Sequence, residues 1–494
     1  MALLLGYDVG SSSVKATLLD AETGKATASA TMPEKELEIM AKKPGWAEQN
    51  PQTWWDNLVA ATQKIKAQTN FNPGDIRGIG ISYQMHGLVI VDKKHEVLRP
   101  SIIWCDSRAV EIGKRALKSI GEKKALSHLL NSPGNFTASK LKWVEDNEPK
   151  VFAKIYKMML PGDYIAMKMT GEIRTTPSGL SEGIMWDFKE QGLADIVMKQ
   201  YRIPREFIGE VVPTFSIQGN LTKEAANTLG LKAGTIVSYR AGDQPNNALS
   251  LNVLNPGEIA ATAGTSGVVY GITAEAKYDA KSRVNTFVHV NHTPKKPRYG
   301  VLLCVNGTGI LNSWLKHNTG SNDYKEMDAM AQNAPVGSDG LAILPFGNGA
   351  ERTLENRNIG ASFHGLNFNM HNRAHLLRAA QEGIVFALNY GVEIMRKLGV
   401  KAKTVRAGHA NMFLSQLFGE AFATVTGSVV ELYKTDGSQG AARGAGIGAG
   451  VYRGPEDAFV GLAPVKTVEP NKKLSSAYAD AYKNWEKALK KQLS

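Results

Sequence analysis

The sequence predicts an α/β protein built from two halves of similar architecture, on three observations. The chain has 494 residues, too many for one ordinary core when domains commonly run to ~100–200 residues. A strand, a glycine-and-hydroxyl turn and a second strand occur at residues 3–15 and again at 257–270, with the turn glycines Gly10 and Gly264 about half the chain apart. Such spacing marks an internal duplication of pattern. Between the two copies, segments of helical and strand periodicity alternate, as in α/β folds.

The elements follow in order. Leu3-Leu4-Leu5-Gly6-Tyr7-Asp8-Val9 reads as a strand, Gly10-Ser11-Ser12-Ser13 as a turn, and residues 25–32 extend a β-meander. Residues 52–68 form an amphipathic helix, 76–82 a strand and 140–147 a helix. Gly, Pro and Asn punctuate 213–256, which sets the domain junction just after Ser250 and gives domains 1–250 and 251–494. In the second half Leu376, Leu377, Ala380, Ile384, Ala387 and Leu388 fall at helical spacing over 372–398, with Gly399 as a stop. The basic tail 479–494 reads as a solvated terminal helix.

Composition narrows the classes of function. No run reaches the ~18 apolar residues of a membrane span, and the start lacks the pattern of a secretory signal; a cytoplasmic protein without a membrane partner is expected. Cys105 and Cys304 are the only two cysteines, so no disulfide framework or paired zinc spacing exists, and both are expected to be buried. The formal charge of +12 suits anionic ligands or plain solvation. Basic pairs such as Lys42-Lys43, Lys123-Lys124 and Lys295-Lys296 are short and lack interleaved aromatics, which argues against nucleic acid.

Five segments carry chemistry. Gly beside Ser or Thr lets backbone N–H groups and hydroxyls converge on phosphate, so the turns at Ser11-Ser12 and Gly264-Thr265 suggest a phosphate chain gripped from two sides; each alone is also an ordinary hairpin turn. Asp8 stands where a carboxylate could hold hydrated Mg²⁺, or could close an Asx turn. In Arg240-Ala241-Gly242-Asp243-Gln244, Asp243 follows a strand and precedes a helix. It is either a helix cap or a general base for a sugar hydroxyl attacking a γ-phosphate, with Gln244 beside it for another hydroxyl. Gln84-Met85-His86-Gly87 ends a strand in polar groups, a place where α/β folds bind ligands, although a lone His is also commonly structural. His289 and His292 lack a third ligand at usual spacing, so no structural metal is expected. Arg406-Ala407-Gly408-His409-Ala410 either admits a flat base or forms a simple turn. Gly444-Ala445-Gly446-Ile447-Gly448-Ala449 nominally fits a dinucleotide pattern, yet no βαβ unit follows, and it reads as small-residue helix packing. No P-loop exists.

Taken in this order, the segments resemble the FGGY carbohydrate kinases over residues 6–450. The resemblance rests on Pro44-Gly45-Trp46-Ala47-Glu48-Gln49, Gln84-Met85-His86-Gly87, Val97-Leu98-Arg99-Pro100, Trp104-Cys105-Asp106-Ser107-Arg108, Gly242-Asp243, Gly264-Thr265-Ser266-Gly267 and Glu351-Arg352-Thr353. It implies two actin-like, ribonuclease H-like ATPase domains facing an interdomain cleft, the N-terminal one for sugar and the C-terminal one for nucleotide. It implies ATP and Mg²⁺ as cofactors and a ketose as acceptor, D-xylulose foremost, with ribulose, gluconate or glycerol, or a non-catalytic sugar-binding protein, as alternatives; it leaves room for a homodimer. By the resemblance Asp243 is the base, and Gln84, Met85, His86 and Gln244 line the sugar. Asp8, Ser11 and Ser12 face phosphate and magnesium, Gly264 and Thr265 grip the phosphates, Gly408 and His409 border adenine, and Gly309 and Trp314 are further nucleotide candidates. Gln244 and His409 depart from the pattern usual among the xylulose-specific members.

Overall fold

The computed structural model describes residues 2–494. The chain forms two compact units: the described part of Met1–Asn252 with Phe287–Arg298 and Thr435–Leu462, and Val253–Thr286 with Tyr299–Lys434 and Ala463–Ser494. The contiguous halves of the sequence reading thus differ from these units by two returns of the chain to the first.

In the first unit, β1 (Leu3–Val9), β2 (Val14–Asp20), β3 (Ala26–Met32), β4 (Ile76–Tyr83), β5 (Phe215–Asn220) and β6 (Ile236–Gly242) form one sheet in the order β5-β6-β4-β1-β2-β3. β1 is buried on both faces. Leu3, Leu5, Tyr7 and Val9 join the core that includes Trp54 and Leu58 of the Pro51–Gln68 helix, and the Tyr7 hydroxyl lies 2.7 Å from Thr62 Oγ1. The other face meets the Gly437–Gly448 helix, which explains one return of the chain. A Cβ on Gly6 would lie 1.9 Å from Ser438 O, one on Gly80 2.0 Å from Ala441 O, and one on Gly444 2.6 Å from the Tyr239 ring. Only glycines permit so close a helix–sheet contact, so the Gly444–Gly448 stretch is a packing surface, as its composition suggests.

The second unit repeats this plan. β7 (Ile259–Ala263), β8 (Gly267–Thr273), β9 (Tyr299–Val305), β10 (Thr404–Gly408), β11 (Val429–Tyr433) and β12 (Pro464–Val468) lie in the order β9-β8-β7-β10-β11-β12. From β3 to β5 and from β9 to β12 the pairings run antiparallel, antiparallel, parallel, parallel, antiparallel in both sheets. The duplication inferred from two glycine turns therefore extends to six strands.

The Arg373–Lys397 helix runs through the second core, capped by Asn372 Oδ1, which accepts from Ala374 N at 2.9 Å, and followed by Gly399 at φ +93°. Two expectations need correction. The terminal helix Ser475–Leu493 is not merely solvated: Tyr478, Trp485 and Leu489 are buried, and Trp485 Nε1 donates to Ile343 O at 2.9 Å. These anchors fall on one helical stripe among lysines, where charge masks the apolar face. Cys105 is exposed and Cys304 half-buried, because Cys105 sits in a turn that surfaces between buried Ile103 and Asp106. Among the described residues no helix is long and apolar enough to cross a membrane.

Candidate active site

Strand register gathers the polar residues of the first unit. Asp8 of β1 lies opposite Ser82 of β4, which lies opposite Ala241 of β6; Val9, Tyr83 and Gly242 form the next row. Three parallel strands thus end level, and Asp8, the 84–87 loop and Asp243 emerge at one carboxyl edge, where α/β sheets bind ligands.

Asp243 is the first residue of the Asp243–Ser250 helix, and the cap position belongs to Gly242, without a side-chain cap bond. A Cβ on Gly242 would lie 2.6 Å from Met85 Cγ and 3.1 Å from Glu182 Oε1, so glycine lets Met85 and a buried carboxylate press against the start of the helix. Burial, then the negative charge of Asp8, pushes the Asp243 carboxyl up to about 7, while hydrogen bonds from the Gln244 amide and side chain oppose that rise. A carboxylate so tuned can exchange a proton near neutrality.

Asp8 Oδ1 accepts from Ser82 Oγ at 2.8 Å. Burial raises its pKa, and Asp436 adds to the rise. Asp436 caps the Gly437–Gly448 helix and pairs with Lys15 Nζ at 2.7 Å; burial opposes its ionisation, but Lys15 and the capping bonds hold its pKa below the ordinary value. Asn246 Nδ2 donates to Gly437 O at 2.8 Å, tying the Asp243 helix to this one. Asp436 and Lys15 are absent from the sequence reading. The duplication holds the signal, since Asp436 follows β11 as Asp243 follows β6. Among the described residues no three His, Cys, Asp or Glu side chains gather as a metal cage. A desolvated Asp8 beside a second carboxylate instead suits hydrated Mg²⁺, which keeps most of its waters and takes few protein ligands.

The 84–87 loop is fixed from below. His86 adopts φ +62°. Its N–H donates to Glu182 Oε2 at 3.0 Å, its Nδ1 lies 2.9 Å from Glu182 O, and its carbonyl accepts from Lys140 Nζ at 2.8 Å. Because a carbonyl only accepts, Nδ1 carries the proton in that contact. Glu182 is buried, and desolvation holds its pKa well above the carboxylate range. Met85 is buried, and so is Gln84, whose Nε2 donates to Gln49 Oε1 at 3.2 Å. Gln49 Nε2 reaches Ser11 O at 2.7 Å, so one side chain joins the 84–87 loop to the turn at residues 10–13. Ser11 is half-buried and its hydroxyl lies 3.3 Å from Trp104 Nε1, whereas Ser12 is exposed.

Other marks of the resemblance turn out to be scaffolding. Glu48 accepts from Arg99 and, at 2.7 Å, from Arg108 Nη1; Arg108 also binds Asp106 and stacks 3.8 Å from the Trp46 ring centroid. In the second unit Glu351 is buried and accepts from Asn306 N at 3.0 Å and Gly307 N at 3.2 Å, holding the loop that leads into Gly309; burial pushes its carboxyl up to about 7.

Gly264, Thr265, Gly309 and His409 line one cavity of about 930 Å³ in the second unit, together with Tyr324 and Asn411. Gly309 N donates to Gly264 O at 3.0 Å, and a Cβ on Gly309 would lie 2.2 Å from that oxygen. The Gly309–Asn318 helix thus begins directly on the β7–β8 turn, with its positive end toward the cavity. Gly408 ends β10 beside His409, with open space where a Cβ would stand. Trp314 shares the Gly309–Asn318 helix but is half-exposed and does not line the cavity.

Comparison with known proteins adds an independent line. The model of the FGGY family of carbohydrate kinases, N-terminal domain, matches residues 3–250, and that of the C-terminal domain matches 259–452. A xylulose kinase of Bacillus subtilis (strain 168) is 30% identical over 469 residues, covering 92% of this chain and 90% of its own. A crystal structure of xylulose kinase from Rhodospirillum rubrum superposes with a TM-score of 0.87 at 26% identity, covering 99% of this chain and 98% of that one. Plasmodium falciparum glycerol kinase with ADP shares the fold, with a TM-score of 0.88 at 20% identity over 100% of this chain and 99% of that one.

Proposed function

This chain belongs to the FGGY family of carbohydrate kinases, and from that premise we propose that it phosphorylates a ketose with ATP, D-xylulose to D-xylulose 5-phosphate, using Asp243 as the base. The observation that carries the assignment of the base is the environment of Asp243. It stands at the same sheet edge as the His86 loop and Asp8, with its carboxyl brought up to about 7.

In this reading Met85 and His86 hold the sugar, with Gln84 supporting the loop from beneath. Gln244, which engages Asp243, orients a neighbouring hydroxyl. Asp243 accepts the proton of the terminal hydroxyl as its oxygen attacks the γ-phosphate in line, and ADP leaves. Asp8 would hold Mg²⁺ through water; that ion, when bound, neutralises charge on the phosphates. Ser11 and Ser12 offer backbone N–H groups and hydroxyls to the phosphates. The 930 Å³ cavity suits a nucleotide, with Gly264, Thr265 and Gly309 toward the phosphates and His409 toward the base, and Gly408 precedes His409 at the end of β10. The ADP named in the glycerol kinase structure supports nucleotide binding within this fold.

The acceptor is chosen by similarity to xylulose kinases over most of the chain. ADP release measured with D-xylulose, L-ribulose, gluconate and glycerol tests it: kcat/KM should be highest for D-xylulose, and a clear preference for another acceptor would reassign the substrate within the family.

A further inference from the structure

We propose that Lys140 is a positioning residue that sets the separation of two walls of the sugar pocket, the His86 loop and the Trp104 turn, and thereby governs affinity for the acceptor sugar rather than the rate of phosphoryl transfer. The proposal rests on the reading of His86 as a sugar contact.

Lys140 lies on the Thr137–Asn147 helix and is fully buried. Its Nζ donates to His86 O at 2.8 Å and to Ile103 O at 2.9 Å. A buried lysine is costly, and an apolar side chain of similar length would fill the space at less expense. What lysine adds is a second tie between two backbone segments that also meet at Leu88 and Ile102, where Leu88 N donates to Ile102 O at 3.0 Å.

Each segment leads to a side chain that reaches solvent, His86 in part and Trp104 more fully. On one side, His86 holds a left-handed conformation at φ +62°, which a non-glycine residue keeps only when its surroundings over-determine it. Glu182 fixes its N–H and Lys140 its carbonyl, so both flanking peptide groups are pinned. On the other side, Ile103 precedes Trp104, whose side chain is 50% exposed and whose Nε1 lies 3.3 Å from Ser11 Oγ in the phosphate turn. An exposed indole beside polar groups is a surface against which the C–H face of a sugar packs. Lys140 therefore couples the imidazole wall to the indole wall.

Desolvation brings the Lys140 ammonium down to about 7. A neutral amine still offers two N–H donors, enough for two carbonyls. The clamp accordingly survives on either side of neutrality, and the sugar KM should not follow the titration of Lys140.

Lys140→Met and Lys140→Gln in the full chain test the proposal, assayed with the sugar that the wild-type protein phosphorylates best. Lys140→Met should raise the sugar KM about tenfold or more, leaving kcat within about threefold and the KM for ATP unchanged. Lys140→Gln, whose amide keeps two N–H donors, should recover much of the loss. An unchanged sugar KM, an equal fall in kcat and sugar affinity, or identical behaviour of the two variants would overturn it. Absence of turnover by the wild type with any sugar would instead count against the proposed function. Amide hydrogen exchange then reads the clamp directly: Lys140→Met should exchange faster at 84–88 and 103–107 than wild type while the Arg373–Lys397 helix is unchanged, and identical exchange at those two segments would defeat it.

Discussion

Gly437 abuts Asp8: a Cβ at residue 437 would stand 2.2 Å from Asp8 Oδ2. The helix that carries Asp436 can approach β1 only because this position has no side chain. Gly437→Ala should therefore displace the Asp8 carboxylate. The expected outcome is a fall in kcat/KM for MgATP of about tenfold or more, with a destabilisation of roughly 1–3 kcal/mol from overpacking; steady-state kinetics and a urea melt measure the two.

Asp243 should cost stability when ionised. Its folded pKa of about 7 lies above the ordinary 3.8, so the folded state binds this proton more tightly than the unfolded chain. The resulting stabilisation is complete below pH ~4 and is lost as pH rises through about 7. Asp243→Asn removes the ionisation and should raise Tm at pH 8 by about 2–4 °C relative to wild type, and by less at pH 5. Thermal melts at the two pH values give the comparison.

The same pKa sets an acid limb on the rate. A base must be ionised, so kcat/KM for the sugar should fall about tenfold per pH unit below about 7 and level off above it. A profile flat from pH 5.5 to 8 would require another proton acceptor.

The cavity of the second unit should respond separately. A Cβ on Gly309 would meet Gly264 O at 2.2 Å, so Gly309→Ala should push the Gly309–Asn318 helix off the β7–β8 turn. The KM for ATP should rise about tenfold or more while sugar binding, read by equilibrium dialysis of labelled sugar, stays close to wild type.

Arg108 is expected to matter to the fold. It satisfies Glu48 and Asp106 and stacks on Trp46. Arg108→Ala leaves the buried Asp106 carboxylate without its ion partner and Glu48 with Arg99 alone, and should destabilise by about 3–5 kcal/mol. Arg108→Lys should recover only part, because lysine lacks the planar fork. Denaturant midpoints rank the three proteins.

Much of this was legible in the residues. Short apolar runs bounded by turn residues placed β1 and β4, and two glycine turns exposed the duplication, because both signals are local. Asp243, Asp8 and the 84–87 loop could be nominated for the same reason. Glu182 could not, since it ends a short helix, Pro177–Glu182, with no marker of its own, and only the fold brings it beneath His86. Lys140 was similarly hidden: a lysine on a helix reads as solvated, and its burial depends on two carbonyls distant in sequence. Glu48, Asp106 and Arg108 signalled kinship correctly while giving no hint that their work is mutual pairing.

The most direct test is the initial rate of ADP formation with D-xylulose and MgATP for wild type and Asp243→Ala, both verified as folded by circular dichroism. Wild type should release ADP in a sugar-dependent way and the variant should lose at least about 10² in kcat, with sugar binding retained. Near-normal phosphorylation by folded Asp243→Ala would contradict the role of Asp243 as the base.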